Sequence, residues 1–199
     1  ELFVLLALAV AASQARNDGT LVPEAKGAEI VEMTVDRIEA SCVFPDDKLL
    51  LRRLAYVESN DGLHPDAFRK NYYGGIWQVD EAMLAATQAS SANVVLLEYI
   101  KGVQAAFGID WPSVKWQDLT KPLYSALGAR MYVAYSSRDE KAGIPRDIDG
   151  QAAFWKKYYR PAGDVQDYKT AANALEKGCS KPKGPDMVFL IDGSGSIGN

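Results

Sequence analysis

Positive charge is scarce in this chain. Lysine and arginine number 22 against 26 aspartates and glutamates, for a net charge of −4 and a pI near 5.1. No sequence-wide basic field is available to draw in nucleic acid or an anionic membrane. Long apolar runs are missing too: crossing a bilayer as a helix takes about 20 apolar residues in succession, and no segment supplies them. Alternation with period 2, the mark of a half-buried strand, is unconvincing anywhere between residues 27 and 180, and no internal repeat is visible. Histidine occurs once, as His64 beside Pro65 in a polar stretch, and reads as solvated. Cysteine occurs twice, so Cys42 and Cys179 allow a single internal pairing.

What the chain does contain is the composition of a globular protein: 48% hydrophobic and 24% charged residues with a mean hydropathy of −0.16, enough to bury a core. The opening "ELFVLLALAVAASQA" is an apolar stretch that runs into small residues, and Ser13-Gln14-Ala15 fits the small-x-small cleavage pattern of a secretory signal peptide. Residues 1–15 are therefore expected to be a partial signal peptide, 16–26 an N-terminal segment, and the protein secreted. In an oxidising compartment a Cys42–Cys179 disulfide is the default. It would close a long loop, worth roughly 4–5 kcal/mol in the chain-entropy account.

Periodicity then places helices along residues 27–180. Val31, Val35, Ile38 and Cys42 stand at helical spacing. Pro45, Asp46 and Asp47 supply a stop and an N-cap for "KLLLRRLAYVES", with Gly62 past its end. "HPDAFRKNYYGG" reads as loop, and Asp80 could cap a helix beginning "EAMLAAT". A longer helix runs to Gly108; Thr120 caps and Pro122 opens the next; Gly150 precedes "QAAFWKKYY"; and "DVQDYKTAANALEKG" is the last. The expected class is all-α. Residues 181–185, rich in Lys, Pro and Gly, read as a linker. They lead into "MVFLIDGSGSIGN", a buried-strand pattern ending in a Gly/Ser loop.

One residue breaks the apolar pattern. Leu51, Leu54, Ala55 and Glu58 stand at i, i+3, i+4 and i+7, so a helix there carries a carboxylate on its apolar stripe. Desolvation makes an ionised carboxylate expensive at such a place, and the negative end of the helix dipole adds to the cost. Glu58 is placed where it keeps its proton. As a glutamate at the stripe's edge, it would simply face water.

Glu58-Ser59, followed by Gly75-Ile76-Trp77-Gln78 and then Val79-Asp80, resembles the lysozyme-like superfamily, in particular goose-type lysozymes and soluble lytic transglycosylases. The resemblance covers roughly residues 27–180 and implies an all-α lysozyme-like domain. It implies cleavage of β-1,4 linkages in peptidoglycan or a chitin-like polymer, with Glu58 as general acid and no cofactor. The chemistry agrees, because protonating a glycosidic oxygen requires an acid still protonated near neutral pH. Asp80 matches the family's aspartate and is the first candidate for a base, which an inverting hydrolase needs about 6.5–9.5 Å from the acid; it is equally well read as a helix cap. Asp66 and Asp61 are weaker candidates. Without a base, the substrate's own hydroxyl can attack, the lytic-transglycosylase route to an anhydro sugar. Ser59, Tyr73, Gly75, Trp77 and Gln78 are the expected substrate-binding residues, with Gln78 bonding a sugar amide or buttressing Glu58. Tyr72, Trp155, Tyr158 and Tyr159 are further aromatics of a kind that stacks on sugars, although such rings are more often core. The family's late Ala-Tyr-Asn-Ala-Gly stretch has no counterpart. "VAYSSRD" (Val133 to Asp139) and "YYRPAGDV" (Tyr158 to Val165) are only faint echoes of it.

The segment 186–199 resembles the first strand of a von Willebrand factor type A (VWFA) domain, a doubly wound α/β fold. Asp192, Ser194 and Ser196 match that family's Asp-x-Ser-x-Ser metal-ion-dependent adhesion site. A carboxylate and two hydroxyls on a tight loop are hard oxygen ligands suited to Mg²⁺. The family's later threonine and aspartate ligands are not present, so weak metal binding by this segment is expected, along with a protein that continues into a complete VWFA domain. The resemblance implies an extracellular matrix or cell-surface partner for that domain. A non-catalytic adhesion or matrix protein, whose helical domain only binds glycans, is the rival expectation.

Overall fold

The computed structural model describes residues 18–178. Seven α-helices account for most of them: α1 (Ala28–Ala40), α2 (Leu50–Ser59), α3 (Glu81–Gln88), α4 (Ser90–Phe107), α5 (Pro122–Ser136), α6 (Ile148–Tyr158) and α7 (Val165–Gly178). Three short 3-10 turns, Gly19–Leu21, Trp111–Ser113 and Trp116–Thr120, complete the regular structure. Among the described residues there is no strand, and no helix is long and apolar enough to cross a membrane. The class expected from periodicity, all-α, is the class observed. The expected signal peptide and linker, Cys179 with the disulfide expected of it, and the expected strand with Asp192, Ser194 and Ser196 lie outside the described residues.

Helix α5 sits at the centre, in contact with α1, α2, α3 and α4. Its sequence explains the position. Leu123, Ala126, Leu127, Ala129, Met131 and Val133 are all buried, and the remaining side carries buried Ser125 and Gly128 with half-buried Tyr124 and Tyr132, so no face stands fully open to water. Pro122 opens it at N1, where a missing N–H costs nothing. Helix α7 closes the other side, packing on α6 and α2 through Tyr168, Ala172 and Leu175.

Several boundaries differ from the periodicity reading. Cys42 is not the last member of the α1 stripe: the helix ends at Ala40, and Cys42 lies exposed with a left-handed φ of 53°. The start of α2 moves inward, because Lys48 and Leu49 both adopt positive φ. Asp47 still satisfies a free N–H of the first turn, its carboxylate accepting from Leu51 N at 2.9 Å. Thr120 belongs to a 3-10 turn and leaves the cap of α5 to Lys121. Gly150 lies within the first turn of α6, where its N–H donates to the Asp147 carboxylate at 2.7 Å.

The loop Gly74–Asp80 is pressed against this frame. Ser125 of α5 donates to Gly74 O (2.8 Å) and accepts from Trp77 N (3.1 Å). Gly75 adopts φ +65°, and a Cβ there would come within 2.0 Å of Leu119 O and 2.7 Å of Ser125. Gly143 shares the left-handed conformation, φ +66°, but has open space around it. Gly143→Ala is expected to cost about 1 kcal/mol, the backbone strain alone. Gly75→Ala should cost at least ~3 kcal/mol, because backbone must also move. Urea midpoints of the two variants check the difference, and equal costs would contradict the packing described.

Candidate active site

The site begins with how α2 ends. Asn60 and Asp61 both take left-handed conformations, tolerated by these residue types, and their N–H groups return to Tyr56 O (2.8 Å) and Ala55 O (3.1 Å). Arg52, one face earlier on α2, grips the Asp61 carboxylate with two bonds of 2.8 and 3.1 Å, both side chains buried. Asp61 is thereby committed to the turn and is not free to act as a base. Asp66 stands exposed beside His64 on the following loop, with solvent as its main neighbour. Ser59, completely enclosed, donates to Ile76 O (2.6 Å) and accepts from Gly62 N (2.8 Å). Its hydroxyl pins the loop to the helix end and has no remaining access to a ligand.

The other residues of the Gly-x-x-Gln segment are likewise structural. Trp77 is 0% exposed, and its indole N–H donates to Leu51 O at 2.8 Å. It is a core residue with no face left for a sugar, which corrects the substrate-binding expectation. Gln78 is buried at φ +50°; its amide donates to Ala67 O and Gly75 O, and its oxygen accepts from Arg69 at 2.9 Å. Its side chain is spent on the packing of the loop and makes no bond to Glu58, the residue it was expected to buttress if it did not bond a sugar amide. Gly75 serves close packing. Only Tyr73 keeps partial exposure, its ring set edge-on to Trp116 at 5.3 Å.

Glu58 is where the stripe put it. Leu51, Leu54 and Ala55 are buried beneath it, and only 6% of its side chain is exposed. Both oxygens have partners. Oε1 accepts from the Trp155 indole at 2.7 Å, and Oε2 accepts from Arg160 Nε at 2.8 Å. Trp155 is held in turn. A Cβ at Gly163 would fall 2.1 Å from its ring, and the ring of Tyr168 lies 5.4 Å away on a tilted contact. Glu58, Trp155 and Arg160 line a depression of about 250 Å³ together with Asp164 and Asp167. Larger cavities lie elsewhere; two of them, about 380 and 300 Å³, surround Phe44 and Arg130 and share no lining residue with it.

Arg160 is the residue that sequence reasoning missed. Its guanidinium reaches Glu58, Asp80 Oδ2 (2.7 Å) and the Gln78 carbonyl at once. Asp80 does occupy the N-cap position of α3, but its carboxylate makes no cap bond; it takes Arg160 on one oxygen and Tyr72 Oη, at 2.8 Å, on the other. Those bonds displace a cap worth about 1 kcal/mol. Arg160 lies within "YYRPAGDV", the stretch that only faintly echoed the family's late tyrosine motif, and nothing in its spacing marked it. Tyr159 beside it is buried. Its hydroxyl donates to Trp77 O at 2.7 Å and does not touch Glu58. Tyr158 instead bonds Glu140 at 2.7 Å and belongs to the outer face of α6.

Burial pushes the Glu58 carboxyl upward. The Arg160 charge and the bonds from Trp155 and Arg160 pull it down, Asp80 pushes it up again, and the balance lies above the usual carboxylate value. Arg160 stays charged despite its burial, because Glu58, Asp80 and Tyr159 all favour the cation. Among the described residues no His/Cys/Asp/Glu cluster could hold a metal ion. The arrangement offers a carboxyl whose protonated form burial favours, beside an indole and a fixed cation, at the floor of an opening.

A folded-state value above the unfolded one fixes the sign of a pH effect. The folded state holds this proton more tightly, so the stabilisation is complete below the ordinary carboxylate range and is lost as pH rises through the raised value. Unfolding free energies of wild type and Glu58→Gln, compared across acidic to neutral pH, should show the wild type losing ground to the variant as pH increases. A pH-independent difference would contradict the raised value. Comparisons with protein-family models, curated proteins and solved structures find no match to the chain.

Proposed function

We propose that residues 27–178 form a secreted, lysozyme-like domain that cleaves β-1,4 linkages of an amino-sugar polymer, peptidoglycan or a chitin-like chain, with Glu58 as general acid. The observation that carries this reading is the buried, upward-shifted Glu58 carboxyl facing an opening it shares with Trp155. The Glu-Ser turn and the Gly-x-x-Gln loop, stapled to each other by Ser59, add the segment pairing on which the resemblance rests. An acid needs its proton and a free path to the leaving oxygen. The first follows from burial; the second requires the Arg160 or Trp155 bond to yield when a sugar enters.

Asp80 is a less natural base in this frame. The Arg160 guanidinium bridges it to Glu58, and both Asp80 oxygens already accept hydrogen bonds, from Arg160 and Tyr72. Attack by the substrate's own hydroxyl, which needs no second carboxylate, fits this better. In the same proposal, the segment 186–199 opens a VWFA domain that, when complete and loaded with Mg²⁺, anchors the enzyme to a matrix or cell-surface protein.

A second reading has its own support. Because both oxygens of Glu58 are already engaged by Trp155 and Arg160, the domain fits a glycan-binding adhesion module that no longer cuts.

Turbidity loss of a peptidoglycan or chitin suspension separates the two. On the catalytic reading Glu58→Gln lowers the rate on the order of 10²-fold or more. Equal, negligible clearing by both proteins, with retention on the immobilised polymer, selects the binder. Mass spectrometry of products then distinguishes an anhydro end, expected here, from a reducing end one water heavier.

A further inference from the structure

One cation stands between two carboxylates in this site. With Glu58 and Asp80 both ionised, Arg160 leaves the trio with an excess negative charge; a proton on Glu58 brings it to neutrality, the cheaper state where water is excluded. The two carboxylates are not equivalent. Glu58 is nearly sealed, whereas Asp80 is 47% exposed and is fixed from its far side. Tyr72 donates to it, and the Tyr72 ring is covered by the Arg69 guanidinium at 3.4 Å and by the edge of Trp116 at 5.4 Å. Asp80 thus holds its end of Arg160 in a braced position.

We propose that Asp80 acts on Glu58 through Arg160: by sharing the guanidinium it keeps the cation from fully neutralising Glu58, and so reserves Glu58 as a proton donor. The inference rests on the general-acid reading above and changes the part Asp80 plays in it, from base to positioning residue. Arg160 is the positioning residue in direct contact. It orients the Glu58 carboxyl and releases it toward Asp80 and the Gln78 carbonyl when a sugar arrives. The remaining titratable groups facing Glu58 are Tyr159 and Tyr168 in the packed interior and Asp164 and Asp167 at the opening. None of them bridges to it.

Removing either partner therefore moves Glu58 in opposite directions. Asp80→Asn leaves a balanced Glu58–Arg160 pair and favours the ionised form. Arg160→Gln leaves an uncompensated buried carboxylate and favours the protonated one. A ¹³C NMR titration of the Glu58 side-chain carboxyl reads this without substrate. The midpoint is expected to fall on the order of one pH unit in Asp80→Asn and to rise in Arg160→Gln. Asp80→Glu, which keeps the charge, should remain with the wild type, and so separates the charge of Asp80 from its place at the helix start. Midpoints that stay put in Asp80→Asn, or move the same way in both variants, overturn the proposal. If Arg160→Gln does not fold, Asp80→Asn against Asp80→Glu decides alone. Opposite shifts in a protein that clears no polymer would keep the coupling and remove the glycosidase. Clearing that Glu58→Gln abolishes, without any shift in Asp80→Asn, would do the reverse.

Discussion

The guanidinium of Arg160 reaches back 80 to 102 residues to tie together the end of α2, the start of α3 and the loop between them. Its anchorage is electrostatic and largely buried, so it is strong only because each of its three nitrogens has an acceptor. That condition shapes its surroundings. Asp80 forgoes its cap, the Gln78 carbonyl turns inward, and Glu58 accepts a neighbour that opposes the protonation its burial favours. The site is a compromise between desolvation and ion pairing, in which desolvation prevails and the shared cation opposes it.

A stiff frame makes such a compromise stable. Ser59 and Ser125, two small buried hydroxyls, fasten the Gly74–Gln78 loop from opposite sides, one from α2 and one from α5. Trp77 fills the space between them and bonds back to Leu51. Tyr159 ties the Arg160 segment to the same loop through Trp77 O. The result is that Glu58, Asp80 and Arg160 are carried on segments that each touch the central core, not on free loops.

Much of this was legible in the sequence, and the failures have physical causes. Helix existence followed from apolar spacing, and the position of Glu58 on the stripe of Leu51, Leu54 and Ala55 was correctly placed by the same spacing. Asp80 was found at the helix start because backbone position is a local property. The direction of its side chain was not, because Tyr72 and Arg160 reach it from 8 and 80 residues away. Trp77 and Gln78 were taken for ligand contacts because a motif records which residues occur together, not which of them face inward. Arg160 carried no periodic or compositional mark; only the pairing of distant segments reveals it. Cys42 fell outside its helix because Ser41 and Cys42 close a tight turn on Ile38 O and Glu39 O and Cys42 takes a left-handed φ, a change of backbone that spacing alone does not expose.

The indole of Trp155 touches the buried carboxyl of Glu58, and its orientation is dictated by the bare backbone of Gly163 and the ring of Tyr168. A tryptophan so placed doubles as an optical reporter. Gain or loss of the neighbouring charge alters the field across its excited state, so the protonation history of the site is written into the emission of a chromophore the protein already possesses.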